Sequence, residues 1–319
     1  MTNNKKTVIA VSPYKYEKGI NFKHYPYDAW CKLGGEYAKA HYPCKALHGL
    51  FYRYSFPAFS HNHSEARLRF VQPVSLLFDT FPDYMCYEII PFFWDCWPRY
   101  FDNVCKWLIK YRTKSAIFTS SQVATKIKNL FPQMNVMSLT EGIIVDDYPA
   151  GKDLSKRENQ LYEIGTGRRC YLKSKYPEEY QKFSKLPING LIRKREDYIK
   201  TLCDTKITIT FPRCDLMPEE TGDIETLTQR YWETMLTRSV ILGRAPKELT
   251  KLIGYNPVID IDKSNPIGQI EDILSHIDDY QPLVDKNRQT AFEKGSWDIR
   301  MKEVASWLKL CGYICSIDE

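Results

Sequence analysis

At 319 residues the chain is long enough for two domains of ordinary size, and 43% hydrophobic with 26% charged residues is the composition of a soluble globular protein. The net charge of +6 comes from dispersed basic residues without an RNA- or DNA-binding signature. It argues against nucleic acid as a partner and is compatible with anionic substrates or an acidic membrane surface. Ten cysteines contain no Cys-x2-Cys pair, so their spacing supports neither a zinc site nor a disulfide framework.

Met1 to Lys6 runs directly into strand-like Thr7–Ser12, without the apolar region and cleavage site of a signal peptide. No segment has the apolar length that spans a bilayer. A cytoplasmic, reduced setting is expected, compatible with peripheral contact at the inner face of a membrane. Short apolar runs predict strands at Val8–Val11, Leu50–Phe56, Ser75–Phe78, Cys86–Phe93, Ala116–Thr119 and Val136–Leu139. Between them, helical stripes predict helices at Tyr27–Ala40, Arg99–Arg112 and Gln122–Leu130. The polar stretch Asp146–Arg157 reads as a linker.

Beyond the linker the pattern restarts. Strands are expected at Gln160–Ile164, Ile207–Phe211, Val240–Leu242 and Val258–Ile261. Helices are expected at Leu191–Leu202, Glu233–Thr237, Gly268–His276 and Leu283–Phe292, and the chain closes with an amphipathic helix. Alternation of this kind predicts an α/β protein of two Rossmann-like, doubly wound domains, 1–150 and 151–296. Ligands in that class bind outside the carboxyl ends of the strands, so a cleft between the domains is the expected site.

The segment Glu225-Thr-Leu-Thr-Gln-Arg230-Tyr-Trp-Glu233 lies between a strand pattern and an amphipathic helix. A loop entering a helix offers unpaired N–H groups and a positive dipole end, a seat for phosphate. Arg230 adds a fixed charge, and the two glutamates can accept hydrogen bonds from the hydroxyls of a ribose and a sugar. Together these residues point to a pocket for a nucleotide sugar. The plainer reading is a pair of solvated glutamates flanking a helix start.

At this point the chain resembles the GT-B glycosyltransferases, in particular the nucleotide-sugar family with a Glu-x7-Glu motif (family 4, group 1). The resemblance is best over residues 140 to 311, through Glu141–Tyr148, Tyr162–Arg169, Glu233–Gly243, Lys286-Asn-Arg288 and Gly295–Arg300. It implies that Glu225 meets the transferred sugar and Glu233 the ribose. Thr228 and Gln229 would hold the diphosphate, and Arg168 or Arg169 with Arg230 would neutralise charge on the leaving nucleoside diphosphate. No metal or other cofactor is then required, and no Asp-x-Asp site is apparent. Residues 297–319 would form a closing helix packed back on the N-terminal domain. The sequence departs from the family where Thr226–Arg230 and Thr237-Arg238 replace its usual glycines.

In the N-terminal half, Asp95 ends an apolar strand between Trp94 and Trp97. It would serve as a base for an acceptor hydroxyl, with the indoles as a stacking surface, or simply cap the helix starting near Pro98. His61-Asn-His63 is more simply surface than a metal half-site. The expected activity is sugar transfer from a nucleoside-diphosphate donor to a glycan or glycolipid hydroxyl, in assembly of a cell-envelope polysaccharide such as lipopolysaccharide. The rivals are a nucleotide-sugar epimerase of the same fold and a non-catalytic nucleotide-sugar or glycan-binding protein.

Overall fold

The computed structural model describes residues 5–14, 22–40, 63–165, 167–186, 192 and 194–317. The strand expected at Leu50–Phe56 and the pair His61-Asn62 lie outside them. The chain divides into two compact units, Met1–Thr140 with Trp297–Glu319, and Glu141–Ser296.

The first unit is built on a parallel sheet: β1 (Thr7–Val11), β2 (Tyr37–Ala38), β3 (Glu65–Val71), β4 (Glu88–Phe93), β5 (Ser115–Phe118) and β6 (Asn135–Ser138), in the order β2-β1-β3-β4-β5-β6. β4 is buried at every position, as a strand covered on both faces must be. β3 is not among the strands expected from sequence. Its alternation of Ala66, Leu68 and Phe70 inward is interrupted by Arg69, itself only 2% exposed. Arg69 is accommodated by an ion pair to Asp83 and by donation to the Asp79 carbonyl. The apolar run Ser75–Phe78 is no strand: Pro73 opens a 3-10 turn and Leu76–Thr80 continues as an α-helix. An apolar run this short does not distinguish the two periods.

The helix expected at Tyr27–Ala40 spans His24–Lys32 and stops before β2. Gly34 takes φ +84°, and Gly35 lies against the Trp30 indole, where a Cβ would sit 2.2 Å from Nε1. Helix Trp297–Leu310 belongs to this unit, burying Trp297, Met301, Val304 and Leu308 in one core with Trp30, Phe92 and Trp94. Beyond it, Ile314 bridges to Thr7, and the Tyr313 hydroxyl donates to Glu88 at 2.5 Å.

The second unit holds four parallel strands, β7 (Asn159–Glu163), β8 (Thr205–Thr210), β9 (Val240–Gly243) and β10 (Val258–Asp260), in the order β10-β9-β8-β7. Residues 141–150 belong here, ahead of the boundary expected at 150. Ile143 pairs with Ser296, and Trp232 Nε1 donates to the Glu141 carbonyl at 2.9 Å. Nor is Asp146–Arg157 a free linker. Arg157 is 3% exposed and its guanidinium donates to the carbonyls of Lys152, Thr205 and Thr237. Helices Leu172–Lys175 and Pro177–Phe183 fill a stretch that carried no element in the sequence reading.

Candidate functional site

Connections leave the carboxyl ends of β7, β8 and β9, and the candidate residues of the second half of the sequence lie on the first two, in the turn after β7 and in the loop and helix after β8. β7 ends at Glu163, buried, whose carboxylate accepts the N–H groups of Tyr171 at 2.5 Å and Lys173 at 2.9 Å. The Lys173 ammonium reaches back to the carbonyls of Glu163 at 2.7 Å and Gly165 at 3.1 Å. It also sits 5.4 Å from the ring centres of both Tyr162 and Tyr180. Burial pulls the Lys173 pKa down and pushes that of Glu163 up. The turn so fixed, with Gly165 at φ +120° and Gly167 at φ +58°, presents Arg168 and Arg169 to solvent. Neither has an ion pair among the described residues.

After β8 the chain passes through two short helices and the loop 223–228 before helix Gln229–Leu236. Thr228 occupies the N-cap with extended backbone, and its side chain makes no capping bond. The first N–H groups of this helix have no intrahelical acceptor. The Gln229 amide nitrogen is buried without a partner among the described residues. Arg230 makes no ion pair among them either, and lies within electrostatic reach of Tyr162, Cys170 and the Tyr231 hydroxyl. Tyr231, Trp232, Met235 and Leu236 are buried and hold the helix to the sheet.

Glu233 is 9% exposed, with each carboxylate oxygen taking a phenol: Tyr148 donates to Oε1 at 2.8 Å and Tyr198 to Oε2 at 2.5 Å. Burial, reinforced by the Glu233 charge, pushes the Tyr198 pKa well up, so it donates as a neutral phenol. Glu225 is engaged differently. Its Oε1 takes Arg244 Nη1 at 2.6 Å and its Oε2 the Lys247 N–H at 2.9 Å. Arg244 follows Gly243, whose φ of +150° and close approach to the Thr210 carbonyl exclude a side chain. Sequence reasoning missed Tyr148, Tyr198, Arg244 and Lys173. For Arg244 a signal was available, since it directly follows an apolar strand run and a glycine. The tyrosines come from distant segments that no local pattern joins.

Asp95 lies in the first unit, at the carboxyl end of β4, with φ +48°. A carboxylate residue held in the left-handed region at a strand end is a recurrent feature of functional sites. The N-cap position of Pro98–Lys110 is Trp97, two residues beyond Asp95. Its indole neighbours do not form a sugar platform, because Trp94 and Trp97 are 1% and 2% exposed and belong to the interior. Among the described residues no group of His, Cys, Asp and Glu is arranged to hold a metal, and no helix is long and apolar enough to cross a membrane.

No family model and no curated protein sequence matches the chain. Solved structures do. Anabaena HepE, in complex with UDP and glucose, aligns with a TM-score of 0.60 at 9% identity, over 96% of this chain and 100% of that one. AviGT4, a glycosyltransferase involved in avilamycin A biosynthesis, aligns at 0.53 and 11% identity over 96% and 98%. TarM aligns at 0.51 and 12% identity over 81% of this chain, which spans only 57% of TarM. At such identities the likeness is one of architecture: the protein has the mixed α/β, parallel-sheet GT-B fold that HepE and AviGT4 share.

Proposed function

We propose that the protein is a glycosyltransferase of the Glu-x7-Glu kind, moving a sugar from a nucleoside-diphosphate donor to a hydroxyl of a glycan or glycolipid. The observation that carries this reading is that Arg168, Arg169, Glu225, Arg230 and Glu233 lie on the segments that follow β7 and β8 at one edge of the second sheet, the arginines without carboxylate partners among the described residues. In this reading the ribose meets Glu233, and the diphosphate meets the arginines, Thr228, Gln229 and the helix start. The transferred sugar lies toward Glu225. The arginines supply fixed positive charge where the leaving diphosphate develops negative charge, so no divalent cation is needed. Asp95 is the proposed base for the acceptor hydroxyl. Cell-envelope polysaccharide assembly, on the cytoplasmic side of a membrane, is the proposed setting.

Calorimetric titration with UDP, GDP, ADP and CMP, with and without magnesium, tests the donor assignment. Selective, magnesium-independent binding of one nucleotide, lost in Glu233→Ala, is the expected result. A folded protein that binds none of them overturns it. A second reading, a non-catalytic nucleotide-sugar binder, is favoured by the engagement of both Glu225 oxygens within the protein. Binding without turnover on any glycan or glycolipid acceptor would select it.

A further inference from the structure

The carboxyl edge of the second sheet is polarised in charge. Arg168 and Arg169 leave β7, and Arg230 opens the helix after β8; none has a carboxylate partner among the described residues. At the β9 side, Arg244 is instead saturated with carboxylate. Its Nε and Nη2 fork onto Asp215 at 2.5 and 2.7 Å, while Nη1 holds Glu225 at 2.6 Å. Such bidentate pairing fixes the plane of Asp215 as well as its position. The Arg244 backbone is fixed too, its N–H donating to the Thr210 carbonyl at 3.2 Å and its carbonyl accepting the Tyr231 hydroxyl at 2.6 Å.

The loop before helix Gln229–Leu236 is bound into the same cluster. Glu225 takes the Lys247 N–H at 2.9 Å, and Glu248 takes the Leu227 N–H at 3.3 Å. Two carboxylates thus exchange backbone bonds between the loop and the start of helix Lys247–Ile253. Counting Arg244 and Lys247 against Asp215, Glu225 and Glu248 leaves one negative charge in excess. Asp215 and Glu225 keep 24% and 14% of their side chains exposed, so each retains acceptor capacity toward solvent. The Tyr231 hydroxyl feels Arg244, Asp215, Arg230 and Glu225 together, which places the anionic cluster next to the first cation of the arginine side.

A ligand matching this edge carries its negative charge at one end and uncharged, hydrogen-donating hydroxyls at the other. We propose that Arg244 is a positioning residue that presents Asp215 and Glu225 to the transferred sugar, and that the donor sugar is therefore a neutral hexose and not a uronic acid. This inference rests on the donor reading above. A sugar carboxylate against the cluster would meet like charge, which disfavours its binding.

The test compares UDP, UDP-glucose and UDP-glucuronate, and in parallel GDP, GDP-mannose and GDP-mannuronate, by calorimetry on wild type, Asp215→Asn, Arg244→Gln and Arg244→Lys. The neutral sugar nucleotide should bind at least about tenfold tighter than its uronate. Asp215→Asn should cut that ratio to about threefold or less while leaving affinity for the nucleoside diphosphate alone unchanged. Arg244→Gln should weaken binding of the neutral sugar nucleotide about tenfold while leaving the nucleoside diphosphate alone unchanged and the uronate still rejected, and Arg244→Lys should restore part of that binding, a rescue that loss of packing does not give. Normal nucleoside-diphosphate binding with equal affinity for hexose and hexuronate, or an unchanged ratio in Asp215→Asn, overturns this inference alone. Absence of nucleotide binding overturns it together with the donor reading.

Discussion

Tyr148 donates a hydrogen bond from its phenol O–H to Glu233 Oε1 at 2.8 Å, across 85 residues of sequence, and Tyr198 completes the carboxylate from the other side. Each carboxylate oxygen has two acceptor directions, so the phenols orient Glu233 and leave one direction per oxygen for a ligand hydroxyl. Tyr148→Phe and Tyr198→Phe should each weaken nucleoside-diphosphate binding by roughly fivefold, the worth of about 1 kcal/mol in a net hydrogen bond. The Glu233→Ala variant should lose binding altogether. Titration calorimetry of the three variants checks the ranking, and equal effects of all three would contradict it.

The three arginines make a different prediction, because they are not part of the scaffold. Arg168 and Arg169 are exposed and, like Arg230, make no ion pair among the described residues. Replacing any one with alanine should leave the melting temperature unchanged and weaken nucleotide binding about tenfold, as for a charge-assisted bond of about 1.5 kcal/mol. Wild-type affinity should also fall as salt rises from 50 to 500 mM, by simple screening of exposed charge. An alanine variant that melts early would show the arginine to be structural.

Glu88 ties stability to pH. Burial alone would raise its pKa, but the Tyr313 hydroxyl, Lys6 at 3.1 Å and Lys114 at 3.4 Å outweigh it and hold the carboxyl below its ordinary range. A lowered folded-state value means that the contribution is complete above the unfolded-state pKa and is lost as pH falls through the folded-state one. Glu88→Gln should cost roughly 2 kcal/mol at neutral pH, with the gap to wild type closing below about pH 4. Thermal melts from pH 3 to 8 give the answer, and a gap that does not change with pH would refute it.

Arg238 holds φ +60° after helix Gln229–Leu236, where a glycine is usual. The bonds Ser239 N–H to Thr234 and Arg238 N–H to Met235, both 3.2 Å, form the expected helix-ending pair. The left-handed backbone costs about 1 kcal/mol for a residue with a side chain, offset here by ion pairs to Asp153 and Asp285. Arg238→Gly should therefore melt close to wild type in low salt and slightly above it in high salt. Arg238→Val, which keeps the strain and drops both pairs, should lose roughly 2 kcal/mol. A valine variant as stable as the glycine one would rule out the strain.

The sequence made the parallel sheets legible because strands such as β4 and β9 are continuous apolar runs set between helical stripes. It hid β3, whose buried Arg69 looks like a surface residue until Asp83 and the Asp79 carbonyl are brought beside it. The family resemblance points to Arg168 and Arg169, and the strand–loop–helix pattern to Arg230 and Glu233, because all four follow strand-like runs in the sequence; in the fold they lie on the segments after β7 and β8. What Glu233 and Glu225 touch could not be found. Their partners Tyr148, Tyr198 and Arg244 arrive through tertiary pairing, and a carboxylate in a sequence carries no mark of which donor will claim it. The indoles beside Asp95 misled for a related reason: aromatic bulk suits a core as well as a binding platform, and burial decides between them.

The first unit is discontinuous in the chain. β1 receives its last backbone partner from Ile314, β4 is locked by Tyr313, and the core around Trp30 closes only with Trp297, Met301 and Leu308. During synthesis, then, the amino-terminal sheet emerges first but matures last, waiting for the final helix to leave the ribosome. The second unit, whose segments are contiguous, can finish while the first still exposes an unclosed apolar face. Chaperone dependence and aggregation of nascent chains should accordingly track the amino-terminal unit.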